Sequence, residues 1–274
     1  MQSNIIRFLT VALVAMSLFS SCGEYYKLTK SDNADLKYEK AMQYYEEGEY
    51  VKASTLLESV VPSFRGTEKG QRGLYIMAMS NLKNKDYIMA RSYFTAYCKG
   101  YPSGTYAEES KFQIGYCYYK ESPNVKLDQT NTQKAIDELL DFSNLYPNSS
   151  RLPEVVDMLK EMQSKLAEKE YNNALLYYEL GDYMGNNYLS AVVTANNALK
   201  KFPDTPYREE LHYIILESKY MQAVKSVEEK MEDRYRDTVD EYYTFVKEFP
   251  ESKHRKDADR YFKKSQKYLE SLRN

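Results

Sequence analysis

Apolar side chains recur along this chain at offsets of four and three, the spacing of one helical face, and the pattern breaks at regular points. Four aromatic–Pro pairs mark the breaks: Tyr101-Pro102, Tyr146-Pro147, Phe202-Pro203 and Phe249-Pro250. At a fixed interval before each Pro stands a small residue, Ala90, Ala135, Ala191 or Thr238. Phe94, Leu139, Ala195 and Tyr242 follow four residues on, then Tyr97, Phe142, Ala198 and Phe245 three further. Each Pro must end the helix carrying these side chains, because it lacks a backbone N–H and disfavours helix in its predecessor. A polar residue and then Ser, Thr or Gly follows in most copies, as in Pro147-Asn148-Ser149 and Pro203-Asp204-Thr205.

Before the first pair, Tyr38, Ala41, Met42, Tyr44 and Tyr45 lead to Gly48-Glu49-Tyr50, and Ala53 and Leu57 continue the apolar face. Leu74, Tyr75, Ala78, Met79 and Leu82 lead in the same way to Lys85-Asp86-Tyr87. Such tripeptides join paired helices: a left-handed turn residue, an acid at the next helix N-terminus, an aromatic plug. The spacing predicts five helical hairpins, at Asp35–Phe64, Gln71–Tyr101, Ala107–Pro147, Ser164–Pro203 and Glu209–Pro250, then a terminal helix from His254 to Leu272. The third turn is stretched across Pro123–Thr132, and the fourth, Gly181–Tyr188, is rich in Gly and Asn. In the fifth hairpin a charged helix is expected from Lys225 to Asp233, with no clear turn glycine.

Residues 1–21 read as a secretory leader: Arg7, an apolar run from Phe8 to Phe19, then Ser20 and Ser21. Leu18-Phe19-Ser20-Ser21-Cys22 resembles the lipobox of bacterial lipoproteins, whose Cys receives a diacylglycerol thioether and an N-acyl chain. Three acyl chains hold a protein far more firmly than one, at about 0.8 kcal/mol per buried methylene. An ordinary leader with a coincidental Cys is the alternative. No Asp follows Cys22, so the expectation is an outer-membrane anchor, with residues 22–34 as linker and the remaining chain facing the periplasm.

The 38 basic and 40 acidic residues nearly cancel, which excludes the basic excess that nucleic-acid binding requires. Beyond the leader, no stretch reaches the roughly 20 apolar residues of a membrane span. Cys98 and Cys117 fall at different heights on antiparallel helices, too far apart for a disulfide, and read as apolar core thiols. They have neither metal-ligand spacing nor a nearby His. No phosphate loop, nucleophile elbow or His-Glu-x2-His motif is present, so no catalytic, metal or cofactor site is expected.

The Ala-x3-Phe offset and the closing Pro resemble the tetratricopeptide repeat. That resemblance implies an all-α, right-handed superhelical solenoid of about five hairpins plus a C-terminal capping helix. Residues 35–147 would carry units one to three, 164–250 units four and five, and 254–272 the cap. In such arrays the first helix of each pair lines a concave groove. Its candidates here are Tyr38, Met42, Tyr45, Arg72, Tyr75, Met79, Phe112, Tyr116 and Tyr119. Tyr gives rigid amphipathic contact and Met adapts its shape, which suits peptide capture; packing between neighbouring helices would use the same residues. Basic residues crowd the terminal helix at Lys256, Arg260, Lys263, Lys264 and Lys267, a candidate docking surface for an acidic domain or anionic headgroups, or a solvated cap.

Leader, lipobox, length and repeats together resemble the BamD family, lipoproteins of the outer-membrane β-barrel assembly machine. The likeness runs over the mature chain and is strongest from Ala191 through Phe202-Pro203-Asp204-Thr205 to Glu210. It implies a non-catalytic scaffold whose N-terminal units receive unfolded barrel proteins and whose C-terminal units dock on a BamA-type barrel component. One departure is that Thr194-Ala195-Asn196 stands where the family can present an Arg to that component, so the contact is not carried over. Two other readings stay open: a periplasmic tetratricopeptide adaptor for division or peptidoglycan synthesis, and a glycan-binding lipoprotein, a class usually longer and rich in Trp.

Overall fold

The computed structural model describes residues 24–273, and among these there is no strand. A short helical segment over 24–29 precedes eleven α-helices. The first hairpins are α1 (Ala34–Glu46) with α2 (Tyr50–Val60), α3 (Glu68–Lys83) with α4 (Tyr87–Gly100), and α5 (Ala107–Lys120) with α6 (Thr130–Leu145). They are followed by α7 (Leu152–Leu180) with α8 (Asn187–Lys201), α9 (Arg208–Val224) with α10 (Glu228–Glu248), and α11 (Arg255–Ser271). A 3₁₀ turn, Val61–Phe64, joins α2 to α3. The chain divides into two compact units. Unit one runs to residue 122 and includes 137–152; unit two comprises 123–136 and everything from 153 onward.

The aromatic of each aromatic–Pro pair is the C-cap of a second helix. Tyr101, Tyr146, Phe202 and Phe249 each donate a backbone N–H to the carbonyl four residues back, at 2.8–2.9 Å, before Pro forbids another turn. Three of these rings also pack on that earlier residue: Tyr101 on Tyr97, Tyr146 on Phe142 and Phe249 on Phe245, at 5.4–5.6 Å. The positions singled out by spacing form the core. Ala90, Phe94, Tyr97, Ala135, Leu139, Phe142, Ala191, Ala195, Ala198, Thr238, Tyr242 and Phe245 are all buried. Alanine recurs at the start of this face because a small side chain lets the paired helices approach closely.

The tight turns follow the expected chemistry. Gly48 has φ +80°, and Lys85 takes the equivalent left-handed place at +63°. Asp86 then caps α4 by accepting from the Met89 N–H at 3.0 Å. Gly70 answers a different demand: a Cβ there would lie 2.1 Å from the Phe64 carbonyl oxygen, so the 3₁₀ turn can reach α3 only across a glycine.

Two details differ from the expectation. The turn of the fifth hairpin is Lys225-Ser226-Val227, and only from Glu228 do the charged residues form helix, opening α10. The adjacent acids Glu228 and Glu229 favour a helix start there and leave the preceding three residues to turn. The first helix of the fourth hairpin begins at Leu152, well before Ser164, because Pro153 sits in its first turn, where the missing N–H has no consequence. Cys117 is buried, Cys98 packs beside the same cluster, and both are free thiols. Burial pushes the Cys117 thiol up to about 12.

Candidate polypeptide-binding face

A planar side chain four residues beyond each Pro stacks on an aromatic of the preceding first helix. Tyr106 lies flat on Tyr75 at 4.2 Å, Tyr207 on Tyr171 at 4.9 Å, and His254 on Tyr213 at 3.8 Å. In the remaining copy the Arg151 guanidinium covers Phe112 at 4.6 Å. The backbone N–H of the stacking residue is held by the hydroxyl two residues earlier: Ser149 for Arg151, Thr205 for Tyr207, Ser252 for His254. After Pro102 that place is Gly104, and the Tyr106 N–H donates instead to the Tyr97 hydroxyl at 3.0 Å. Within each unit, the Tyr106, Tyr207 and His254 stacks join one hairpin to the next through the first helices.

Two of the expected groove residues lie instead in the core. Tyr38 is 7% exposed and meets Phe64 edge-on at 5.5 Å; Phe112 is 1% exposed, between Phe142 and Arg151. Both are core side chains: Phe64 of the 3₁₀ turn covers Tyr38, and Arg151, four residues beyond Pro147, covers Phe112. The others stay accessible in unit one. Tyr45, Tyr75, Tyr116 and Tyr119 are half-buried, as are Met42 and Met79, which pack against the core, and Arg72 is exposed. Burial, reinforced by Glu109, Tyr45 and Tyr106, holds the Tyr75 hydroxyl neutral well above the ordinary phenol range, while Arg151 opposes them. Tyr75 and Tyr106 therefore share one face, with Glu109, Tyr45 and Arg151 near enough to act on the hydroxyl. Tyr116 stacks obliquely on Tyr119 at 6.2 Å, extending it along α5.

Sequence reasoning missed Tyr106, Glu109 and Arg151. The Arg151 guanidinium is bound twice by Glu109, at 2.9 and 3.0 Å from Nη2. That pair fixes a half-exposed, oriented cation beside a row of phenols. The signal lay in the position after Pro, hidden because Tyr, Arg and His share planarity and not letters.

Unit two carries a second polar-aromatic set on its first helices. Tyr261 donates to Glu217 at 2.5 Å, and the Tyr213 hydroxyl lies 3.5 Å from that of Tyr261; burial, with Glu217 adding to it, holds the Tyr178 hydroxyl well above the ordinary phenol range. Burial would raise the Glu210 carboxyl, but Lys253 and His254 outweigh it and hold it below the ordinary range. On α11, Lys256, Arg260, Lys263, Lys264 and Lys267 are all exposed, opposite buried Ala258, Tyr261 and Ser265. Arg260 is partly neutralised by Asp257 at 2.7 Å. Cys22 and the leader lie outside the described residues. Among the described residues, no helix is long and apolar enough to cross a membrane, and no cluster of His, Cys, Asp or Glu could hold a metal.

The fold and these faces define a helical-hairpin repeat protein with aromatic contact surfaces. Residues 30–185, more than half of the chain, match the YfiO family, described as an outer membrane lipoprotein, and the chain belongs to that family. Among curated relatives, the "Putative outer membrane protein assembly factor BamD" of Aquifex aeolicus (strain VF5) is 28% identical over 236 residues, spanning 83% of this chain and 74% of that protein. The "Outer membrane protein assembly factor BamD" of Pasteurella multocida (strain Pm70) is 24% identical over 143 residues, 52% of each. Among solved structures, the tetratricopeptide domain of P58(IPK) is 14% identical, covering 90% of this chain and 68% of that one at a TM-score of 0.41.

Proposed function

We propose that this protein is an outer-membrane protein assembly factor that binds unfolded barrel polypeptides by the first-helix face of unit one and performs no catalysis itself. The observation that carries this reading is the set of half-buried phenols on first helices, Tyr75 stacked on Tyr106 and Tyr116 stacked on the Phe112 ring that the oriented Arg151 covers, with half-buried Tyr45 and exposed Arg72 also on first helices. Phenol rings offer an extended chain apolar area and hydrogen bonds at little entropic cost, and the guanidinium supplies an anchor for a carboxylate or carbonyl. Membership of an outer membrane lipoprotein family and relatives named as assembly factors support the same reading. The basic face of α11 would dock a BamA-type barrel component, and three acyl chains on Cys22 would hold the chain at the outer membrane, facing the periplasm.

The test is affinity capture of the tagged chain from detergent-solubilised membranes of its own host. Recovery of a barrel-forming component with unfolded barrel proteins is expected, and a Cys22→Ser chain should move to the soluble fraction. Capture of a cell-wall synthase without any barrel component would replace this reading with that of a division or peptidoglycan adaptor.

A further inference from the structure

Unit two contains a cleft of about 690 Å³ that belongs to neither aromatic face. Its floor is Ile136, Leu166 and Ala167, all buried, from α6 and α7. Its wall is the turn Phe202-Pro203-Asp204-Thr205-Pro206 between α8 and α9. Two prolines stiffen that wall, and Arg208 ties it down by donating to the Pro203 carbonyl at 3.1 Å. Exposed Lys160 and Lys201 stand at the rim. The Lys201 ammonium is held over the Phe202 ring at 5.2 Å, which keeps its charge at the mouth and not in bulk water. Asp204 is the single acid among the lining residues, so the rim keeps a positive excess. Exposed Gln163 adds a side-chain amide, able to donate and accept as a peptide group does.

We propose that this cleft is a docking site for an acidic segment of a partner protein, one large apolar side chain entering between Leu166 and Phe202 while flanking carboxylates meet Lys160 and Lys201. The volume lies within the ~300–1,000 Å³ of built ligand sites, and an apolar floor beneath a charged rim is how such sites combine affinity with orientation. A purely cationic segment would face two ammonium groups, and a purely polar one would leave the floor wet. The rigid wall lowers the entropic cost of binding.

The test is fluorescence anisotropy with a fluorescein-labelled, C-amidated peptide Ser-Glu-Phe-Glu-Ser-Gly and the full chain in detergent. Saturable binding that weakens with salt is expected. Lys160→Glu with Lys201→Glu should reduce affinity at least tenfold, as should Gln163→Trp, which fills the mouth from an exposed position without disturbing the core. Circular dichroism melting of each variant verifies folding. A peptide with Gln for both Glu, or Ala for Phe, should bind at least tenfold more weakly. Equal binding by the variants or by either altered peptide overturns the proposal. Displacement by dihexanoyl phosphatidylglycerol at lower concentration than by unlabelled peptide also overturns it, assigning the rim to a lipid headgroup. Because the cleft shares no residue with the unit-one face, failure here leaves that face's assignment standing, and loss of client binding there leaves this one.

Discussion

Tyr38 and Tyr45 lie two turns apart on α1, yet removing each ring has a different consequence. Tyr38 is enclosed by Phe64, and a Cβ at Gly73 would come within 3.1 Å of its ring. Truncation leaves a cavity there, so Tyr38→Ala should lose about 3 kcal/mol of stability by urea denaturation. Tyr45 is half-buried and meets only the edge of Tyr50 among the rings, at 5.7 Å. Tyr45→Ala should lose less than about 1 kcal/mol while weakening capture of an unfolded barrel segment. That Tyr38 and Phe112 each stand on the apolar face of their own helix was legible in the sequence. Which neighbour covers that face was not, because periodicity gives direction from the helix axis and says nothing of what the next hairpin lays on top.

At the scale of elements, the hairpin turns obey local chemistry, and that is why they could be read directly. An aromatic–Pro pair ends a helix through its own backbone, wherever the rest of the chain lies. The Lys225–Val227 turn has no such breaker: only the paired acids Glu228 and Glu229 mark the next helix start, and in sequence they read equally as part of one continuous charged helix. The two tight turns provide a paired test. Gly48→Ala forces a Cβ into φ +80° and should cost about 1 kcal/mol. Lys85→Gly relieves a side chain at φ +63° and should gain a few tenths to about 1 kcal/mol, both read from urea midpoints. Between α9 and α10, burial would raise the Glu241 carboxyl, but the nearby His212 ring, 3.9 Å away, and the hydrogen-bonded Lys219 ammonium at 2.7 Å outweigh it and set it below the ordinary range. A lowered folded value means a contribution that is complete above the unfolded value of about 4.3 and lost as pH falls through the folded one. Urea midpoints measured from pH 7 down to pH 3 should therefore fall more steeply for the native chain than for Glu241→Gln.

For the whole molecule, polypeptide contact should concentrate on first helices and spare second ones. The repeats and the family were written in residues whose chemistry is local. The stacking residues and the Glu109–Arg151 pair were not, because they connect elements distant in sequence. The most direct measurement is photo-crosslinking in cells, with a benzophenone amino acid placed singly at Tyr45, Arg72 and Tyr116, and at Ile88, exposed on second helix α4. Adducts with unfolded outer-membrane barrel proteins are expected from the three first-helix positions and none from Ile88. Adducts from Ile88 alone, or equally from all four, would contradict first-helix capture.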